Sequence, residues 1–351
     1  MGSKPVIVFT SRKITDGFMT TDMELMRPYV DIIPIDLTGG RPTRPRFYAR
    51  LLRALVGRNA RAVYAYFFGE EYTLQMAVLL KALGRGLIIA SGGTDATWVE
   101  DIGVGALGST ANRRRFARSM RLADSVLAFS DSSRADILRF ASPRRIRTAH
   151  MVVDSERFCP GPAERARRAV TVAATVSETA LLVKGVAPFV AAATLLPEVE
   201  LVVLGTCVDE AARALKARAP ANVRFLDRFL APDEYVALLQ SAAVYVQASG
   251  HEGFGVSLAE AMACGCVPVV ADRYSMPEVV GETGIKVTFN DHAALAAGIR
   301  QALDRPELGP AARDRVVTLF TPERRGRILR QELELVLGRK LGDPPGSAAA
   351  L

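Results

Sequence analysis

Short apolar runs of four to eight residues, rich in Val and Ile, alternate along this chain with longer stretches of helical periodicity, and no other feature restricts its fold as much. A strand buried on both faces reads as such an unbroken run, and a helix must follow it to reach the next parallel strand, so the pattern predicts βαβ units on parallel sheets. The alternation occurs twice. The first half offers "PVIVFT" from Pro5, "VDIIPID" from Val30, "AVYAYF" from Ala62, "GLIIAS" from Gly86, "SVLAFS" from Ser125 and "RTAHMVV" from Arg147. The second offers "AVTVAATV" from Ala169, "VELVVLG" from Val199, "NVRFLDR" from Asn222, "AVYVQAS" from Ala243, "VPVVAD" from Val267 and "GIKVT" from Gly284.

At 351 residues the chain exceeds what a single core usually supports, which agrees with two α/β domains. Pro160, Gly161 and Pro162 interrupt regular structure between the halves, so the first domain is expected over residues 1–158 and the second over 159–320. A further helix is expected over 321–341, with Thr321 as its N-cap and Pro322 at its first position. Leu329, Leu333, Val336 and Leu337 gather on one face that needs a surface to pack on. The tail 342–351 has little to bury and is expected to be disordered.

No stretch approaches the roughly 20 apolar residues of a membrane span, and the start reads as a first strand rather than a signal peptide, so a cytoplasmic protein is expected. Cys159, Cys207, Cys264 and Cys266 have no Cys-x2-Cys spacing and the three histidines lie at no ligand-like spacing, so no metal site is expected. Residues 1–158 hold 24 Lys and Arg against 15 Asp and Glu, which puts the chain's whole positive excess there. The clusters Arg41 to Arg61 and Asn112 to Arg121 suit an anionic partner: a phosphorylated acceptor, an anionic membrane met at its periphery, or nucleic acid. Nucleic acid ranks last, because no aromatic stacking motif accompanies the arginines.

The stretch "SGHEGFGVSLAEAMACGCVPVVAD", Ser249 to Asp272, carries the chemistry. Ser257 is a plausible helix start and Gly265 its C-cap residue, so the loop Gly253-Phe254-Gly255-Val256 delivers a helix N-terminus to the carboxyl end of a parallel strand, where ligands bind in such sheets. The first turn of a helix exposes about four unpaired N–H groups and roughly half a positive charge, a natural seat for phosphate. Glu252 and Glu260 would repel phosphate but accept hydrogen bonds from hydroxyls on either side of it. A nucleoside diphosphate sugar explains both ends.

The E-x7-E arrangement of Glu252 and Glu260 around "GFGVSLA", with "AMACGCVPVVA", "MPEVVGETGIKV", "VKGV", "VVLG" and "ADSVLAFSDSSRADI", resembles the donor site of family 4 glycosyltransferases of the GT-B fold. The resemblance implies two Rossmann-like domains facing across a cleft, with the last helix returning to the first domain. It implies a retaining hexosyltransferase that needs no cofactor beyond its nucleotide sugar donor, the acceptor being a small molecule, glycan or lipid. Glu252 would contact the donor sugar and Glu260 the ribose, with the amides of Gly255, Val256, Ser257 and Leu258 on the diphosphate, in the loop that Gly253 and Phe254 open. Lys184 would neutralise the leaving diphosphate, Arg228 and Phe229 would border the base, and Gly205 would let backbone pass close to the nucleotide. With no Asp-x-Asp in the sequence, lysine and helix dipole are expected to supply the positive field without a metal.

Three departures stand out. Thr179 occupies the place where the family commonly has an arginine, so either Lys184 works with another cation such as Arg273 or the diphosphate is held less tightly. The first loop, "TSRKITDGFMT", has Gly17 alone where a glycine pair is common. No histidine stands in "SGGTDATW", so Asp95 is the candidate for orienting acceptor or donor sugar hydroxyls; His150 and His251 are the other titratable candidates, and His251 beside the loop reads as a structural imidazole. A phosphorylase or synthase of the same fold, or a catalytically silent nucleotide sugar binder, would carry the same motifs.

Overall fold

The computed structural model describes residues 3–11, 14, 17–36, 44–66, 72–162 and 164–342. The chain forms two compact units, one of residues 1–98, 103–152 and 322–351, the other of residues 99–102 and 153–321. The first holds β1 (Val6–Ser11), β2 (Asp31–Asp36), β3 (Ala62–Tyr66), β4 (Gly86–Ser91), β5 (Ser125–Ala128) and β6 (Ile146–Thr148). The second holds β7 (Ala166–Val176), β8 (Glu200–Cys207), β9 (Val223–Leu226), β10 (Ala242–Gln247), β11 (Val267–Ala271) and β12 (Ile285–Val287). Each predicted strand therefore exists. The run "RTAHMVV" overshoots its strand furthest: pairing with β5 ends at Thr148, after which the chain leaves the edge of the sheet.

All strand pairs are parallel. The first sheet runs β2-β1-β3-β4-β5-β6 and the second β12-β11-β10-β7-β8-β9. In the second sheet the chain builds outward from β7 through β8 to β9, then returns to the other flank of β7 with β10. That reversal leaves a crevice beyond the carboxyl ends of β7 and β10, the place where doubly wound sheets bind ligands. Val8, Val63, Ile89 and Val126 help fill the first core and Val203, Val244, Val269 and Phe189 the second.

The helix Pro322–Leu337 belongs to the first unit, with Leu329 and Leu333 buried and Val336 set against Gly86. Buried beside those leucines are Arg325 and Glu332. Arg325 donates to Asp22, to Tyr66 Oη at 2.9 Å and to the carbonyls of Ala149 and His150. Glu332 accepts from Arg145 at 2.8 Å through both oxygens and from Ser125 at 2.7 Å. The expected disordered tail lies outside the described residues beyond Gly342.

Candidate active site at the β7 and β10 ends

After β7 the helix Glu178–Val183 ends on Lys184 and Gly185. Gly185 has φ +68°, and a Cβ there would stand 2.1 Å from the Ala248 carbonyl oxygen, so the glycine both turns the chain and admits the end of β10. The Gly250 amide donates to the Val183 carbonyl at 2.8 Å, and this bond ties the two loops together. Lys184 consequently meets Glu252, Nζ to Oε1, at 2.7 Å.

Two further donors reach that oxygen, Gln247 Nε2 at 2.9 Å and Ser249 Oγ at 2.9 Å. Among the described residues nothing donates to Oε2. Glu252 is thus fixed by one oxygen and holds the other ready, in a side chain only 14% exposed. Gln247 and Ser249 lie outside the residues expected from the sequence, although polar residues closing an apolar strand are the available signal.

The helix Val256–Ala263 begins one residue before Ser257, with Gly255 as its N-cap. Ser257 does not cap it; its hydroxyl donates to Gln247 Oε1 at 3.3 Å. The first capped bond is Ala259 N to Gly255 O, and among the described residues the amides of Gly255, Val256, Ser257 and Leu258 find no acceptor. Phe254 and Leu258 are buried, Phe254 edge-on to Phe320 at 5.0 Å, so these residues anchor the turn with side chains and leave only backbone to a ligand. The helix closes at Gly265 as predicted, Gly265 N donating to Met262 O and Cys266 N to Ala261 O.

One turn further along, Glu260 faces a cavity of about 300 Å³ that also gathers Gly205, Arg228, Phe229, Tyr235 and Arg157. Four of the predicted donor residues therefore share one pocket. Gly205 is tight: a Cβ would lie 1.6 Å from the Ala173 carbonyl oxygen, so only glycine lets β8 pass β7 here. Arg228 is held by Glu234 through paired bonds of 3.0 and 2.8 Å, and that bond with the Ala231 amide holds Glu234 at about 2. Phe229 is 74% exposed at the rim. Tyr235, which the sequence did not single out, donates to Glu260 Oε2 at 2.9 Å. Burial pushes Glu260 up to about 7 even so, because the hydrogen bond returns less than desolvation removes.

Arg273 is committed elsewhere. Its guanidinium takes both oxygens of Asp101 at 2.8 and 3.0 Å and covers the Phe289 ring at 4.5 Å, and Thr179 is exposed on its helix. His251 is buried edge-on against Tyr274 at 4.5 Å. Asp95 belongs to the first unit, on the turn Thr94–Ala96 after β4, and accepts from Ser91 Oγ at 2.5 Å and the Gly93 amide at 2.9 Å. No group of three or more His, Cys, Asp or Glu converges among the described residues.

Residues 173–315 match the family model described as glycosyl transferases group 1. The α-maltose-1-phosphate synthase of Mycolicibacterium smegmatis is 31% identical over 235 residues, 58% of this chain and 61% of its own length. The chain thus spans less than two thirds of that relative, and less again of the mannosyltransferases it also matches. Among solved structures, a sucrose-phosphate synthase from Thermosynechococcus elongatus superposes with a TM-score of 0.77 at 18% identity, covering 96% of this chain and all of its own. Anabaena HepE, in complex with UDP and glucose, gives 0.76 at 16%, covering 94% and 99%. These likenesses establish the GT-B type of fold, and Lys184, Gly205, Arg228, Glu252 and Glu260 all lie inside the segment that the group 1 glycosyl transferase model describes.

Proposed function

We propose that the chain is a retaining glycosyltransferase that moves a hexose from a nucleoside diphosphate sugar to an acceptor hydroxyl. One observation carries the reading: four acceptorless amides open the helix Val256–Ala263 between two glutamates that each keep an oxygen free. The amides and Lys184 suit the diphosphate, and charge that develops on its leaving oxygen meets donors already in place rather than donors that must reorient. Oε2 of Glu252 suits a sugar hydroxyl and Glu260 the ribose, with the base between Arg228 and Phe229. Lys184 and the helix dipole take the role a metal has elsewhere. Retention would follow if the leaving phosphate oxygen accepts the acceptor's proton on the face it departs from, with no protein nucleophile. Asp95 is assigned to sugar hydroxyls, and the basic first unit to an anionic acceptor or surface. The family model and a structural neighbour that holds UDP and glucose support the donor class. The likeness to a maltose-1-phosphate synthase favours one variant, a sugar phosphate as the acceptor.

A thermal-shift panel of UDP, GDP, ADP and TDP sugars tests this. A donor at about 100 times its Kd should add about 2.7 kcal/mol of stability. Glu260→Ala should abolish the shift, and Lys184→Ala should cut turnover by about 10² to 10³. Normal behaviour of both variants would sink the assignment, whereas full donor binding without turnover on any acceptor would favour a silent binder.

A further inference from the structure

The helix Arg44–Leu52 runs on into a π-helical turn, Arg53–Gly57. One side is spent on the core, where Phe47, Leu51, Ala54 and Leu55 are buried. The other side exposes Arg46, Arg50, Arg53 and Arg58, and among them Leu52 and Val56, which are 40% and 71% exposed. From Leu37 to Gly69 the sequence has no carboxylate at all. Among the described residues none of these four guanidiniums has an ion-pair or hydrogen-bond partner. Arginines elsewhere such as Arg145, Arg168, Arg273 and Arg325 are held in ion pairs. Like charges three and four positions apart repel on a helix, so this face is at a cost until an anion covers it.

Arg50, Arg53 and Arg58 also ring a notch of about 270 Å³ whose remaining wall is Ala54 with Ile33, Pro34 and Ile35 of the edge strand β2. Guanidinium forks match phosphate oxygens, and an aliphatic wall below them suits the glycerol and upper acyl carbons of a lipid. A soluble polyanion would satisfy the arginines and leave Leu52 and Val56 in water. An anionic bilayer satisfies both, which is the logic of interfacial helices.

We propose that this face docks the first unit on an anionic phospholipid bilayer, Arg50, Arg53 and Arg58 on lipid phosphates and Leu52 and Val56 entering the acyl boundary. The proposal is independent of the donor site and survives the loss of that assignment. The test is co-sedimentation with vesicles of phosphatidylcholine alone and of phosphatidylcholine with phosphatidylglycerol at physiological salt. The chain should bind the anionic vesicles selectively. Arg50→Glu/Arg53→Glu/Arg58→Glu, with melting and donor binding unchanged, should weaken partition roughly a hundredfold, at about fivefold per arginine. In Val56→Trp the new indole should be quenched by brominated lipid. Equal binding to both vesicle types, an unquenched indole, or wild-type partition of the triple variant would overturn the proposal. So would loss of binding on reversal of Arg114, Arg118 and Arg121 alone, which line a separate groove with Arg139.

Discussion

Three donors converge on one oxygen of Glu252, and that asymmetry sets what the residue can do. Replacing it with glutamine keeps the shape but removes the charge that holds Lys184 at 2.7 Å. Glu252→Gln should therefore lower kcat by about 10² while donor Kd changes far less, since the amides of the following helix remain; steady-state kinetics beside isothermal titration would show the split. Glu260 behaves differently because burial holds it up to about 7. Between the ordinary carboxyl range and pH 7 the folded state keeps a proton that the unfolded state has lost, so this group's contribution to stability declines as pH rises through that window. A ribose hydroxyl donates best to the ionised carboxylate, so donor affinity should strengthen as pH climbs past about 7. In Glu260→Gln both trends should vanish. Melting curves and titrations across pH 5 to 8 would check them, and an unchanged affinity profile in the variant would assign the titration to another group.

At the scale of elements the glycines carry the argument. Gly185→Ala adds a Cβ 2.1 Å from the Ala248 oxygen at φ +68°, and Gly205→Ala adds one 1.6 Å from the Ala173 oxygen. Each should cost about 3 kcal/mol or more in urea unfolding. Gly84→Ala, with φ +59° and open space around it, should cost only the left-handed strain of roughly 1 to 2 kcal/mol. Gly185→Ala should in addition lower kcat, because it pushes the Lys184 loop off the end of β10. The strands were legible because parallel strands buried on both faces leave unbroken apolar runs; the error at "RTAHMVV" arose because Met151 and Val153 are buried without being in the sheet. The turn into the helix Val256–Ala263 was legible because glycine, helix formers and a pair of carboxylates sit at fixed spacing. Tyr235 and Arg157 were not, since each reaches the cavity from an element whose sequence says nothing about which side faces Glu260.

For the molecule as a whole, the surprise is charge inside the last helix. Apolar periodicity picked out Leu329 and Leu333, yet Arg325 and Glu332, which lie outside that apolar pattern, are as buried as the leucines. Each is tolerable only because its partners come from far away in sequence, Asp22 with Tyr66 for the arginine, Arg145 with Ser125 for the glutamate. Helical periodicity cannot report partners that lie 187 to 303 residues away, so this part of the fold was hidden from the sequence. The consequence is asymmetric, since removing one member of a buried pair strands the other, whereas replacing both with apolar groups need not. Arg325→Met should destabilise the first unit by about 3 to 5 kcal/mol, and adding Asp22→Asn should recover a large part of that loss. Glu332 gives the same helix an acid limit: burial alone would raise its pKa, but the hydrogen bonds from Arg145 and Ser125 prevail and hold it below the ordinary range. Its stabilisation is complete above the ordinary carboxyl pKa and fades as pH falls through the lowered one. Glu332→Gln should therefore flatten the acid limb of the melting profile and leave any stabilisation by the proposed donor at neutral pH intact, because the helix that bears it belongs to the first unit and the cavity beside Glu260 to the second.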